Sequence, residues 1–161
     1  MRKAAFMLVM VGLAILSACS GAANQNTNEG KAIEGYQGKV LAGTTTPYIA
    51  FTDEDFQKAQ NEGKTIFINF YANWCPTCKR EQVDIFRAFD ELEESNVVGF
   101  RVNFRDSDTD NIEKELATRF NAAYQHTKVI LDKNASEKFN ALQVMNKEEI
   151  KALITQMANR A

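Results

Sequence analysis

Three regimes of apolar and polar spacing divide this chain. Residues 4–15 are an unbroken apolar run behind Arg2 and Lys3, whereas residues 20–46 turn to Gly, Ala, Asn, Gln, Thr and Lys with no sustained period. From Tyr48 onward, β-branched and aromatic runs alternate with segments whose apolar residues recur every three or four positions, the signature of strands interleaved with amphipathic helices. Residues 48–51 predict a short strand, and Thr52 with Asp55 three positions on predicts a capped helix start. Phe56 and Ala59 would line the inner face of that helix, and Gly63 would stop it in the left-handed position after the C-cap. The run TIFINFY over 65–71 reads as a central strand buried on both faces.

A long helix is expected from Pro76 to about Glu94, turning Val83, Ile85, Phe86, Phe89 and Leu92 inward and Lys79, Arg80, Asp84, Arg87 and Glu91 outward. VVGFRVNF over 97–104 is a second central strand, followed by an acidic loop and a helix carrying Ile112, Leu116 and Phe120. The loop has Asn111 where an EF-hand needs glycine and Ala117 where it needs a bidentate glutamate, so it predicts an N-capping turn and not a calcium site. Residues 128–131 and 136–141 form a predicted hairpin around 132–135, and Asn146 with Glu149 caps a last helix with Ile150, Leu153, Ile154 and Met157 inside. The order βαβαβαββα implies an α/β fold, a mixed central sheet with helices on both faces.

Composition adds few constraints. The 161 residues, 45% hydrophobic and 25% charged, have room for one folded domain. A net charge of −2 and the lack of any basic run interleaved with aromatics exclude a nucleic-acid partner. The N-terminus changes the picture more. The apolar run is too short for an ordinary membrane span and reads as an export signal. It ends in Leu16-Ser17-Ala18-Cys19, which resembles the bacterial lipobox. The resemblance implies a signal peptide over 1–18, lipidation of Cys19, a tether over 19–46 and a folded domain over 47–161 in the bacterial cell envelope, facing the periplasm or the extracellular side. Two or more acyl chains at one cysteine would give the stable anchoring that a single chain cannot. The alternative is a plain cleaved signal with an incidental cysteine.

Candidate chemistry lies in NFYANWCPTCK, residues 69–79, where the first central strand meets the long helix. With Pro76 in the first helical position, Cys75 becomes the N-cap, so its thiolate would accept from first-turn N–H groups at the positive end of the helix. Cys78 lies one turn on, within reach of a disulfide with Cys75. Cys75 is then the nucleophile, Cys78 the resolving thiol, and Trp74 a shield and apolar docking surface. A structural zinc site lacks ligands, since the domain holds two cysteines and one histidine; an inert structural disulfide is the other alternative.

Taken together, NFYANWCPTCKREQ and the element order resemble the thioredoxin family from about Tyr48 to the C-terminus. Trp74-Cys75-Pro76-Thr77-Cys78 is most similar to the exported, membrane-tethered thiol-disulfide reductases of the cytochrome c maturation and TlpA/ResA type. The resemblance implies a thioredoxin fold, a redox-active Cys75–Cys78 disulfide, protein thiol or disulfide substrates, a membrane or extracytoplasmic electron donor, no cofactor and a monomer. Asn69 stands where cytosolic thioredoxins carry a buried aspartate, so another base or water would serve Cys78. The family's extra strand-helix insertion is missing after residue 104. Where the family places a cis-proline, this chain has His126-Thr127, and a trans Gln125–His126 bond is expected. His126 could tune the Cys75 thiolate, assist proton transfer, complete a copper or zinc site with Cys75 and Cys78 in a non-enzymatic metal-binding protein, or be an ordinary loop residue.

Overall fold

The computed structural model describes residue 33 and residues 35–160. The expected signal peptide, Cys19 and most of the expected tether lie outside the described residues. Ten elements follow in order: β1 (Val40–Ala42), β2 (Tyr48–Ala50), α1 (Asp53–Asn61), β3 (Thr65–Tyr71), α2 (Pro76–Glu91), β4 (Val97–Asn103), α3 (Asn111–Arg119), β5 (Thr127–Leu131), β6 (Glu137–Leu142) and α4 (Lys147–Ala158). The sheet runs β1-β2-β4-β3-β5-β6, with β4 parallel to both β2 and β3 and every other pairing antiparallel. It is the mixed sheet expected, with one further strand at its leading edge.

Alternation along β3 sends its side chains to two cores. Ile66, Ile68 and Phe70 pack with Phe56 and Ala59 of α1 and Leu116 and Ala117 of α3. Phe67 joins Ile85, Ala88 and Phe89 of α2 and Ile150 and Ile154 of α4 on the opposite face. Helices therefore cover both faces, and the C-terminal end of β3 delivers the chain to α2 between them. Gly99 lies where β4 passes under this aromatic layer; a Cβ there would stand 2.4 Å from the Phe89 ring and 2.6 Å from Tyr48. Gly63 takes the left-handed φ of +64° after α1, as the helix stop requires.

Four expectations are corrected. The predicted tether over 19–46 overlaps β1, whose Val40 pairs with Ile49 and whose Ala42 pairs with Tyr48. Buried Thr46 exchanges hydrogen bonds with Glu94, and the Asp55 carboxylate holds the Gln37 and Gly38 N–H groups, so the folded unit starts before residue 47. Val83 and Ile112 are exposed, at 47% and 43%, because the inner stripe of α2 runs through Cys78, Glu81, Ile85 and Ala88, and that of α3 through Glu113, Leu116 and Ala117. Finally, α2 stops at Glu91, where Leu92 turns extended and is buried. The acidic loop does cap α3: Asp110 and Glu113 close a reciprocal capping box, with the Asp110 side chain 2.8 Å from the Glu113 N–H.

Candidate active site

Cys75 is the N-cap of α2 and Pro76 its first helical residue. The Cys75 sulfur accepts from the Cys78 N–H at 3.2 Å, which satisfies one of the donors a helix start leaves free. Both thiols are free and buried, 5% and 3% exposed. Burial opposes ionisation of Cys75. Hydrogen bonds from the Cys78 thiol, the Cys78 and Thr77 N–H groups and the Gln125 side chain outweigh it, and hold Cys75 below the ordinary cysteine value. Burial, the hydrogen bond to Cys75 and the charge on Cys75 push the Cys78 thiol up to about 12. The two sulfurs are thus set apart by environment, one prepared to be a thiolate and one to keep its proton.

His126 is not an ordinary loop residue. Its Nε2 lies 3.5 Å from the Cys75 sulfur and 3.4 Å from the Cys78 sulfur. Nδ1 lies 2.6 Å from Glu81 Oε2. A carboxylate accepts only, so the proton of a neutral His126 resides on Nδ1 and the lone pair of Nε2 faces the sulfurs. The histidine sits at φ +69°, unusual for a residue with a side chain, and its N–H donates to the Phe70 carbonyl at 2.9 Å. Proline could not make that bond. No peptide bond among the described residues is cis, so Gln125–His126 is trans as expected.

Glu81 and Lys128 escaped the sequence reading. Glu81, 4% exposed, bonds through Oε1 to Lys128 Nζ at 2.5 Å and to the Met145 N–H at 2.8 Å. Lys128 is fully buried, and its Nζ also donates to the His126 carbonyl at 3.2 Å. Burial pushes its ammonium below the ordinary range, against the pull of Glu81. The signal was present: Glu81 follows Cys78 by three positions on the buried stripe of α2, and a lysine inside the apolar run TKVIL needs an anionic partner.

The remaining expected residues occupy the rim and the strands below. Trp74 is 56% exposed, with its indole N–H donating to the Arg105 carbonyl at 3.0 Å, so the ring is presented outward. Thr77 accepts from Arg80, and Thr127 donates to the Tyr124 carbonyl at 2.7 Å at the start of β5. Asn69 is buried and reaches Tyr48 Oη at 3.4 Å, while its Oδ1 has no partner among the described residues. A buried carboxylate is present all the same, on α2, where Glu81 lies behind the His126 ring.

Fold and site together define a thioredoxin-like redox protein. A model described as the AhpC/TSA family matches residues 42–160, most of the chain, and the protein belongs to that family. Solved structures agree on the fold. Trxlp from Edwardsiella tarda is 22% identical over 65% of this chain and 94% of its own, with a TM-score of 0.53. An uncharacterized thioredoxin-like protein from Clostridium perfringens is 19% identical over 79% of this chain and 91% of its own, with a TM-score of 0.55. A thioredoxin variant from Halobacterium salinarum is 17% identical over 72% and 96%, with a TM-score of 0.55. No curated protein matches this chain.

Proposed function

We propose that the chain is a membrane-anchored, extracytoplasmic thiol-disulfide oxidoreductase that reduces protein disulfides through Cys75-Pro76-Thr77-Cys78. The observation that carries this reading is the N-cap geometry of Cys75, whose sulfur takes the Cys78 N–H at the positive end of α2. In the first step the Cys75 thiolate attacks one sulfur of a substrate disulfide. A mixed disulfide forms, and the departing sulfur leaves as a thiolate. Cys78 then gives up its proton, for which His126 Nε2 at 3.4 Å is the acceptor at hand, and attacks the Cys75 sulfur. The Cys75–Cys78 disulfide forms and the second substrate thiol departs, so two electrons pass from the protein dithiol to the substrate. An external thiol donor, at the membrane or outside the cytoplasm, must return them.

The exposed ring of Trp74, the residue before Cys75, suits an unfolded or loop segment of a protein substrate. Envelope localisation and lipid attachment rest on Leu16-Ser17-Ala18-Cys19 and the run before it. The test is a disulfide exchange assay: Cys75→Ser should abolish turnover, and Cys78→Ser should accumulate the mixed disulfide through Cys75. Full activity of Cys75→Ser would overturn the reading.

A further inference from the structure

We propose that the reduced site also binds one monovalent copper ion, through Cys75 Sγ, Cys78 Sγ and His126 Nε2. These three donor atoms all lie within 4.8 Å of one another, with Nε2 3.5 and 3.4 Å from the sulfurs. In a trigonal centre with bonds of about 2.0–2.3 Å to nitrogen and thiolate, donors stand roughly 3.5–4 Å apart, so little movement is needed. The Nδ1 contact with Glu81 directs the other ring nitrogen at the sulfurs. A carboxylate behind a histidine is the arrangement that fixes tautomer and ring orientation at metal centres. Glu81 is itself held by Lys128 and the Met145 N–H, so the support extends a layer further. The left-handed backbone at His126 spends conformational energy to hold the ring there.

The donor set selects the ion. Two thiolates and an imidazole suit soft d¹⁰ ions, Cu(I) or Zn(II). A structural zinc site takes four ligands, whereas among the described residues this cluster offers three, all at most 9% exposed. Cu(I) is satisfied by three. Both sulfurs bind as thiolates, so the Cys78 proton, and the Cys75 proton in the fraction that still carries one, is released to solvent; copper keeps its oxidation state, so no electron acceptor is required. Formation of the Cys75–Cys78 disulfide removes two donors, so ion and substrate disulfide compete for the same reduced site. The inference shares thiols with the exchange reaction without depending on it.

The experiment titrates the reduced full-length chain, under anaerobic conditions, with Cu(I) supplied as its bathocuproine disulfonate complex, and then records X-ray absorption of the copper protein. One ion per chain, with two sulfurs and one nitrogen around copper, is expected. Glu81→Gln, a positioning change, should weaken binding about 10–100-fold, and His126→Ala should leave a sulfur-only centre. Failure to take copper from the chelator, tighter retention of Zn(II) than of Cu(I), or an unchanged copper spectrum in His126→Ala would each overturn the proposal. The wild-type spectrum needs no variant to fold. Exchange activity measured on the copper-free chain separates the two readings: its absence with copper bound as expected sinks the oxidoreductase reading alone, and active protein that holds no copper sinks this one alone.

Discussion

Among the described residues, three of the four helices carry carboxylates in their first turn, whereas the fourth carries none and is capped by sulfur. Helix α1 has Thr52 as its cap and Asp53, Glu54 and Asp55 in its first turn, while α3 and α4 start with capping boxes from Asp110 with Glu113 and Asn146 with Glu149. Helix α2 has Cys75 as its cap and no acidic residue in its first turn. Elsewhere the positive end of the helix is neutralised to hold the fold together. At α2 it is left for a thiolate, and the nearest acid on the inner stripe, Glu81, is already engaged by His126 and Lys128. Stability and reactivity are thus assigned to different helix starts.

The largest break in this contrast should come behind α2, at the buried Glu81–Lys128 pair, which has no counterpart at the other three helix starts. Lys128→Ala leaves Glu81 buried with one cation fewer, and should cost about 3–5 kcal/mol in urea unfolding. Next in size is the difference between the two thiols. In reduced, copper-free protein near neutral pH, Cys75 should alkylate at least about a hundredfold faster than Cys78, read by mass spectrometry of each site. The signs differ with pH: a lowered Cys75 pKa makes its rate level off early, whereas a Cys78 thiol pushed up to about 12 keeps gaining rate throughout the alkaline range. Equal rates at neutral pH would erase the distinction. Asp110→Ala removes a purely structural cap, and should lower stability by about 1 kcal/mol without altering Cys75 alkylation. The smallest effect sharpens the comparison most. Thr77→Glu gives α2 the first-turn acid that its sisters have, and a competing interaction of about 0.3–1 kcal/mol should slow Cys75 alkylation at neutral pH about two- to fivefold.

Local features were legible in the sequence. Cap residues, the Gly63 stop, the central strands and the Cys75-Pro76 start all depend on neighbours a few positions away, and each appears in the structure. Non-local features were not. Strand β1 is three residues in polar surroundings, and pairing with β2, the reach of Asp55 to Gln37 and Gly38 and the Gly43 N–H bond to Asp90 draw it into the fold. On α2, counting apolar residues alone placed Val83 inside. The true stripe contains Glu81, a carboxylate that can be buried because His126, just before β5, Lys128 in β5 and the Met145 N–H meet it. The proximity of His126 to the cysteines was implied only by the resemblance, since it stands where the thioredoxin family places its cis-proline, while its partners on the far side of the ring required the folded chain.

The reduction potential of the Cys75–Cys78 pair is the most direct test of a reactive, reversible dithiol at this site. Equilibrated against defined thiol buffers, the pair should titrate as a single two-electron couple between about −270 and −120 mV, with a value near or below about −230 mV marking a reductase. A pair that stays oxidised through every buffer ratio, with a potential below about −300 mV, would be a structural disulfide and would contradict the account.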